Sequence, residues 1–399
     1  MAADDDEDDY EAFLHIVHVS DMHYRDGGGR EDHEAEEAVR KLAAGLRGLG
    51  ARQRADNLLR LWHQGLAGHD PWAHDRMLSF LRKLVKDRQF QDGEIWLVDT
   101  GDLSSMGDIA SLEAAHDHLQ QYRNILHASQ MLTLYGNHDA WPGCFPARAT
   151  EEALHEHRIG MREMLFPPEW PLAPLSIAIP HTQSRVLLHA VSSAIDDRWH
   201  NSFAVGKVGI DPNWLSWQEG VNQLQKLAYD AESSWHRDGV TRDFRILAVH
   251  HPVHYPERPS HSLHLANDKE VAQALIRFGD KNRGKLAQLI LSGHTHATFP
   301  PLGKLPREVA ARVFDPLRSG QLQLIAGSLM QAVYREEGRD GPALAPPQEF
   351  QVLSFFAAPH NARRQLVIER RVACRRNQSG DYTFQAPKSG RVEAVAMLY

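Results

Sequence analysis

Residues 13 to 23 read Phe-Leu-His-Ile-Val-His-Val-Ser-Asp-Met-His. The run from Phe13 to Val19 is short, apolar and rich in β-branched side chains, which is the composition of a strand. It breaks at Ser20 and is followed at once by Asp21 and His23. Four later stretches repeat the arrangement. Ile95 to Val98 precedes Gly101-Asp102, and Met131 to Tyr135 precedes Gly136-Asn137-His138-Asp139. Phe244 to Val249 runs into His250-His251-Pro252, and Leu286 to Leu291 into Gly293-His294-Thr295-His296. In open α/β sheets the carboxyl ends of the strands open into a common crevice where ligands bind, so five motifs spread over nearly the whole chain are expected to meet at one point.

The residue types in these motifs are metal ligands. Carboxylate oxygens and neutral imidazole nitrogens suit divalent first-row metals such as manganese, iron and zinc. Thiolates, which would point to a structural zinc or a cluster, occur in none of the five motifs. A site of this composition reads as catalytic.

In order and content the five motifs resemble the calcineurin-like metallophosphoesterase superfamily, over residues 13 to about 330. Thr100-Gly-Asp-Leu-Ser-Ser-Met-Gly-Asp108 and Leu247-Ala-Val-His-His-Pro252 look most like its cyclic-nucleotide and glycerophosphodiester phosphodiesterase branch. The resemblance implies an α/β fold in which two mixed β-sheets pack as a sandwich flanked by helices. It implies two divalent or trivalent metal ions, drawn from iron, manganese and zinc. One would be held by Asp21, His23 and His296, the other by Asn137, His250 and His294, with Asp102 bridging. His250 is chosen over His251 because the family's ligand stands two residues before the proline; His251 would then lie behind the ligands or face the substrate. Two dications about 3.5 to 4 Å apart need shared anions, and a bridging hydroxide, which is the nucleophile, joins Asp102 in that role. His138 resembles the histidine that protonates the departing alkoxide.

Two departures from the family pattern bear on specificity. Ser105 stands where an aspartate usually supports the leaving-group histidine, so His138 is expected to be a poorer acid, favouring good leaving groups unless Asp108 or Asp139 takes over. Met106 stands where the phosphoprotein phosphatases place an arginine. A dianionic monoester gains most from such a fork-shaped cation, so its absence favours monoanionic diesters. The implied activity is hydrolysis of a phosphodiester, such as a cyclic nucleotide or a glycerophosphodiester. The alternatives are a phosphomonoesterase or nucleotidase of the same fold, and a non-catalytic scaffold that binds a partner.

Composition sets the remaining bounds. Residues 1 to 12 are expected to form a disordered acidic tail, because seven of the first eleven residues are acidic and supply nearly all of the net charge of −8. The body that remains carries no basic stripe, which argues against nucleic acid and for a small phosphoester substrate. Two cysteines, Cys144 and Cys374, are too few for a secreted disulfide scaffold, and no apolar run approaches the ~18 residues of a membrane span. These features read as cytoplasmic; oligomeric state stays open.

One domain, 13 to 399, must hold the converging motifs, with residues 331 to 399 completing or flanking the sandwich. Runs Leu322 to Ala326, Phe350 to Phe355 and Gln365 to Ile368 are expected to close a second sheet. Residues 24 to 69 form an insertion with helical spacing at Val39, Leu42, Ala43 and Leu46, then at Leu58, Trp62 and Leu66. It reads as a cap, a dimer face or a hairpin packed on the sandwich. Asp70 and Pro71 predict the start of a helix striped by Met77, Leu81, Leu84 and Val85. A later helix is predicted from Trp214, with Trp217, Val221, Leu224 and Ala228 on one side. Trp141 and the Trp199-His200-Asn201 loop could each offer a face to a nucleobase or be buried. His254, His261 and His264 read as loop histidines outside the site.

Overall fold

The computed structural model describes residues 10–24, 31–52, 55, 59, 72–87, 90–144, 149–157, 174–194, 204–208, 224, 243–253, 265–279, 286–295, 313–314, 322–330, 348–358, 361–376, 382–385 and 393–397. Strand β1 (Glu11–Val19) is followed by helix α1 (Glu31–Gly48), α2 (Ala73–Leu84), β2 (Glu94–Asp99), α3 (Ile109–Leu126) and β3 (Gln130–Thr133). The next elements are β4 (Leu175–Ala178), β5 (Arg185–Ala190), β6 (Asp243–Ala248), α4 (Asp268–Gly279), β7 (Leu289–Ser292), β8 (Val313–Phe314) and β9 (Leu322–Ile325). Four strands close the order: β10 (Glu349–Ala358), β11 (Asn361–Arg376), β12 (Tyr382–Gln385) and β13 (Glu393–Met397).

These strands form two mixed sheets. The first has the order β12-β11-β10-β1-β2-β3, with β13 also on β11; the second runs β4-β5-β6-β7-β9-β8. Inside each sheet the motif-bearing strands are parallel neighbours, β1 with β2 and β2 with β3 in the first, β6 with β7 in the second. Their carboxyl ends therefore lie along one edge of the sandwich.

Period-2 alternation sorts the side chains. On β2, Trp96 and Val98 point between the sheets while Leu97 packs outward; on β6, Phe244, Ile246 and Ala248 point inward while Leu247 packs outward. The inner layer joins Leu14 and Ile16 to Val186, Leu188 and Leu291, and Phe355 meets Phe244 edge-on at 6.0 Å. Helices α2 and α3 cover the outer face of the first sheet with Met77, Leu81, Leu112 and Leu119, and α4 covers the second with Val271 and Leu275. Each such side chain contributes about 1.5–3 kcal/mol by leaving water. The layering is helix, sheet, sheet, helix, as the motifs implied.

Several sequence expectations shift in detail. Strand β1 already begins at Glu11, inside the predicted acidic tail. Helix α2 begins at Ala73 after Trp72, whose own backbone is helical and which makes no side-chain cap; Asp70 and Pro71 lie outside the described residues. Of its predicted stripe Met77, Leu81 and Leu84 are buried, while Val85 stands past the helix as its C-cap and is half-buried. Only Leu322 to Ala326 closes the second sheet. Phe350 to Phe355 and Gln365 to Ile368 belong to the first, because β10 pairs antiparallel with β1 in the register His18 to Gln351. Of the predicted helix from Trp214 only Leu224 is described, buried in the core outside the second sheet.

Candidate metal centre

Each motif-bearing strand ends in a turn that throws polar side chains over the common edge. Four of those residues hold left-handed backbones: Asp21 at φ 53°, His23 at 47°, Asp102 at 57° and His294 at 71°. For residues other than glycine this costs about 1–3 kcal/mol each and persists only where the surroundings over-determine it. Here they do. The Asp21 N–H donates to Gly101 O at 2.9 Å and the His23 N–H to Asp102 O at 2.9 Å. The Asp21 carboxylate accepts the His294 N–H at 2.9 and 3.1 Å, tying the two sheets together across the site. Two motif glycines are obligatory for space, since a Cβ on Gly136 would strike the Asp102 carboxylate and one on Gly293 would strike Ser20 Oγ.

The donor atoms converge. His250 donates Nδ1–H to Thr100 O at 2.7 Å, which leaves the Nε2 lone pair facing the centre. Around that lone pair stand Asp102 Oδ2 at 3.3 Å, Asn137 Oδ1 at 3.2 Å and His294 Nδ1 at 3.1 Å. His23 Nε2 is 3.8 Å from both Asp21 Oδ1 and Asp102 Oδ2. Among the described residues three buried groups have ligand atoms within 4.8 Å of one another: Asp21, Asp102 and His250; His23, Asp102 and His138; His250, His251 and His294.

Lone pairs packed this closely repel unless a positive charge sits among them. The titration of the ligands expresses the same demand. Burial alone would lower the His250 imidazole, but Asp102 and, more weakly, Asp21 outweigh it and push it up to about 9. Burial would raise Asp102, yet His250, His138 and His23 hold it well below the usual carboxylate range. A metal dication satisfies that demand, so this donor set fits the metals that the motifs imply. Two further carboxyls are displaced upward by burial: Asp99, also pushed by Asp139 and Asp21, and Asp139, pushed by Asp102 to about 7.

His138 is held by a group that sequence does not display. Its Nδ1–H donates to the backbone carbonyl of Ser105 at 2.8 Å, and its own N–H donates to Asp102 Oδ1 at 2.8 Å. Neither candidate substitute for the missing aspartate takes over. Asp108 caps α3 by accepting from Ser111 N at 2.9 Å, and Asp139 accepts the N–H groups of Ser104 and Gly136, both at 2.9 Å. Trp141 lies against the His138 ring with centroids 4.2 Å apart and an interplanar angle of 32°. It is buried, so the tryptophan face that could have met a nucleobase is given to the histidine. It also clusters with Met106, Ala43 of α1 and Ala55. The insertion thus docks on the tryptophan behind His138; Leu58, Trp62 and Leu66 lie outside the described residues.

His251 is fully buried, with Ser193 Oγ at 2.8 Å from Nδ1, and a Cβ on Gly206 would overlap its ring. Ser193 and Gly206 went unnoticed in sequence because neither sits in a motif. His296, Trp199, His200, Asn201, His254, His261 and His264 lie outside the described residues. Every other predicted site residue, Asp21, His23, Asp102, Asn137, His138, His250, His251 and His294, is brought to this one edge.

The sequence profile of the calcineurin-like phosphoesterase family matches residues 14–298. The chain belongs to that family. No curated protein sequence matches this phosphoesterase-family chain. Among solved structures it is similar to the purple acid phosphatase PPD1 from seeds of yellow lupin (Lupinus luteus), at 12% identity and a TM-score of 0.45, over 93% of this chain and 52% of that one. It is also similar to the sulfate thiohydrolase SoxB of Thermus thermophilus, at 12% identity and 0.36, over 94% and 56%. Vps29 of Chaetomium thermophilum aligns at 9% identity and 0.28, over 94% of both chains. The chain spans about half the length of the first two. No described helix is long and apolar enough to cross a membrane.

Proposed function

We propose that this protein hydrolyses a small phosphodiester, such as a cyclic nucleotide or a glycerophosphodiester, using two metal ions drawn from manganese, iron and zinc. The observation that carries the reading is the cluster of buried donors at His250 Nε2, Asp102 Oδ2, Asn137 Oδ1 and His294 Nδ1, which lacks only a cation. Asp21 and His23 would hold one ion together with His296; Asn137, His250 and His294 would hold the second. Asp102 takes part in two of the three donor groups, which supports a bridging role. When bound, such a pair generates a water-derived nucleophile near neutral pH and neutralises the phosphoryl oxygens.

The chain's own side chains do the rest. Because Ser105 O can only accept, His138 keeps one proton on Nδ1; as the imidazolium it would carry a second on Nε2, pass that one to the departing oxygen and remain as the neutral Nδ1–H imidazole. His251, enclosed by Ser193 and beside His294 at a ring separation of 4.1 Å, supports the ligands from behind. Met106 is buried with Trp141 and α1, so the position after Ser105 is taken up by packing, which favours a monoanionic diester over a dianionic monoester.

Metal analysis coupled to a panel of aryl and natural phosphodiesters and monoesters tests the reading. The expected result is about two metals per chain and turnover of diesters, fastest for aryl leaving groups, with Asp102→Asn inactive. Faster turnover of monoesters would overturn the diester assignment. Metal content with no turnover of any ester would favour a scaffold.

A further inference from the structure

Behind the ligands a line of buried hydrogen bonds runs from β10 to His250. Gln351 donates Nε2–H to Ile325 O at 2.8 Å, which turns its Oε1 toward His18 Nδ1 at 3.1 Å. An amide oxygen only accepts, so His18 must carry its proton on Nδ1. Its Nε2 is then a lone pair, and it takes the Thr100 hydroxyl proton at 3.0 Å. The chemistry of His18 agrees. It is fully buried on β1, and burial, aided by Arg371 and opposed by the contact with Gln351, lowers its imidazole to about 4, so it carries a single N–H near neutral pH.

Thr100 stands at the point where regular structure ends. Its N–H still donates to Val19 O at 3.1 Å, but Gly101 and Asp102 both turn left-handed immediately after it. Beyond it Gly101 O and Asp102 O accept the Asp21 and His23 N–H groups, while the bond to His18 holds Thr100 from its side chain and adds an anchor at the residue whose carbonyl meets His250. That residue matters twice. Its carbonyl accepts His250 Nδ1–H at 2.7 Å, and two residues on it delivers Asp102.

We infer that Gln351, His18 and Thr100 are positioning residues that lock His250 with its Nε2 lone pair toward the metal centre and thereby set metal affinity. The inference rests on the reading of His250 as a ligand. Partners behind a ligating histidine that fix its tautomer are typically worth about 10–100-fold in metal affinity or activity.

The test uses the full-length chain, stripped of metal and titrated with manganese(II), with binding followed by electron paramagnetic resonance. Thr100→Val removes only the hydroxyl, and Thr100→Ser keeps it. We expect Thr100→Val to weaken one of the two manganese equivalents by about 10–100-fold, with Thr100→Ser close to the parent. Gln351→Met serves as the second variant should Thr100→Val not fold. Nitrogen-15 imidazole shifts of the metal-free parent should place the His18 proton on Nδ1. Equal affinity of parent, Thr100→Val and Gln351→Met would overturn the inference, as would a proton on His18 Nε2. A parent that takes up no manganese would overturn the metal reading of the site and this inference with it, an outcome distinct from a parent that binds two ions the variants also bind.

Discussion

His138 and His251 occupy matching places, one at the end of each sheet, and yet they are built differently. Each follows a ligand-position residue in a loop after a parallel strand, and each engages a partner behind the ring through Nδ1 at 2.8 Å. The partner of His138 is a backbone carbonyl, which fixes the tautomer; that of His251 is a hydroxyl that already accepts the His251 N–H at 3.1 Å and can play either role. His138 has Trp141 on one face and remains 7% exposed, whereas His251 is 0% exposed and has Gly206 against its ring. The difference teaches that standing next to a candidate metal ligand does not define a histidine's task. The atom behind the ring and the opening in front of it do.

The largest expected effect joins both halves. Asp102 accepts the His138 N–H with one oxygen and faces His250 with the other. Asp102→Asn should remove several kcal/mol of transition-state stabilisation, about three orders of magnitude in diester turnover, and reduce metal content. Next comes the pair itself. His138→Ala should lower kcat by about 10²–10⁴-fold with metal retained, more for alkyl than for aryl esters, whereas His251→Ala should weaken metal binding by about 10–100-fold. Matching losses in kcat and metal content for the two variants would break the comparison.

A smaller effect sharpens the His138 side. Trp141→Ala opens the space between His138 and α1, and loss of a buried tryptophan costs about 3–5 kcal/mol, readable as a lower denaturant midpoint. Trp141→Phe keeps an aromatic face and should keep most of kcat. The smallest effect per residue concerns buried histidines with no ligand beside them. Burial lowers His15, His18 and His189 to about 4 from 6.5, with Arg370, Arg371 and Arg245 adding to it respectively. The unfolded chain binds protons first as pH falls below about 6.5, so stability is lost between there and pH 4. Each residue should cost about 2 kcal/mol by pH 5, seen as a falling midpoint in denaturation at pH 7 and pH 5.

What was legible in the sequence was what is local. An apolar run followed by Asp-x-His or Gly-Asn-His announces a strand end and its candidate ligands within ten residues, and β1, β2, β3, β6 and β7 all carry their motifs where the runs stop. The destination of β10 was illegible because its partner β1 lies more than three hundred residues away and an apolar strand does not name its neighbour. Ser105 illustrates a second limit. Its side chain differs from the family pattern, but the group that holds His138 is its carbonyl, an atom every residue possesses. Trp141 had two readings until α1 was placed against it, since packing from an insertion has no signature in the residue that receives it.

The pairing of β1 with β10 has a consequence for how the protein is made. Until Ala358 has left the ribosome, the strand that presents Asp21 and His23 has β2 as its one sheet neighbour among the described strands, and Gln351 has not reached His18. Long-range closure of this kind is slow and comes late. The candidate cradle is therefore completed only after β10 has been made, and a chain stalled before β10 would carry every proposed ligand without the support that sets them.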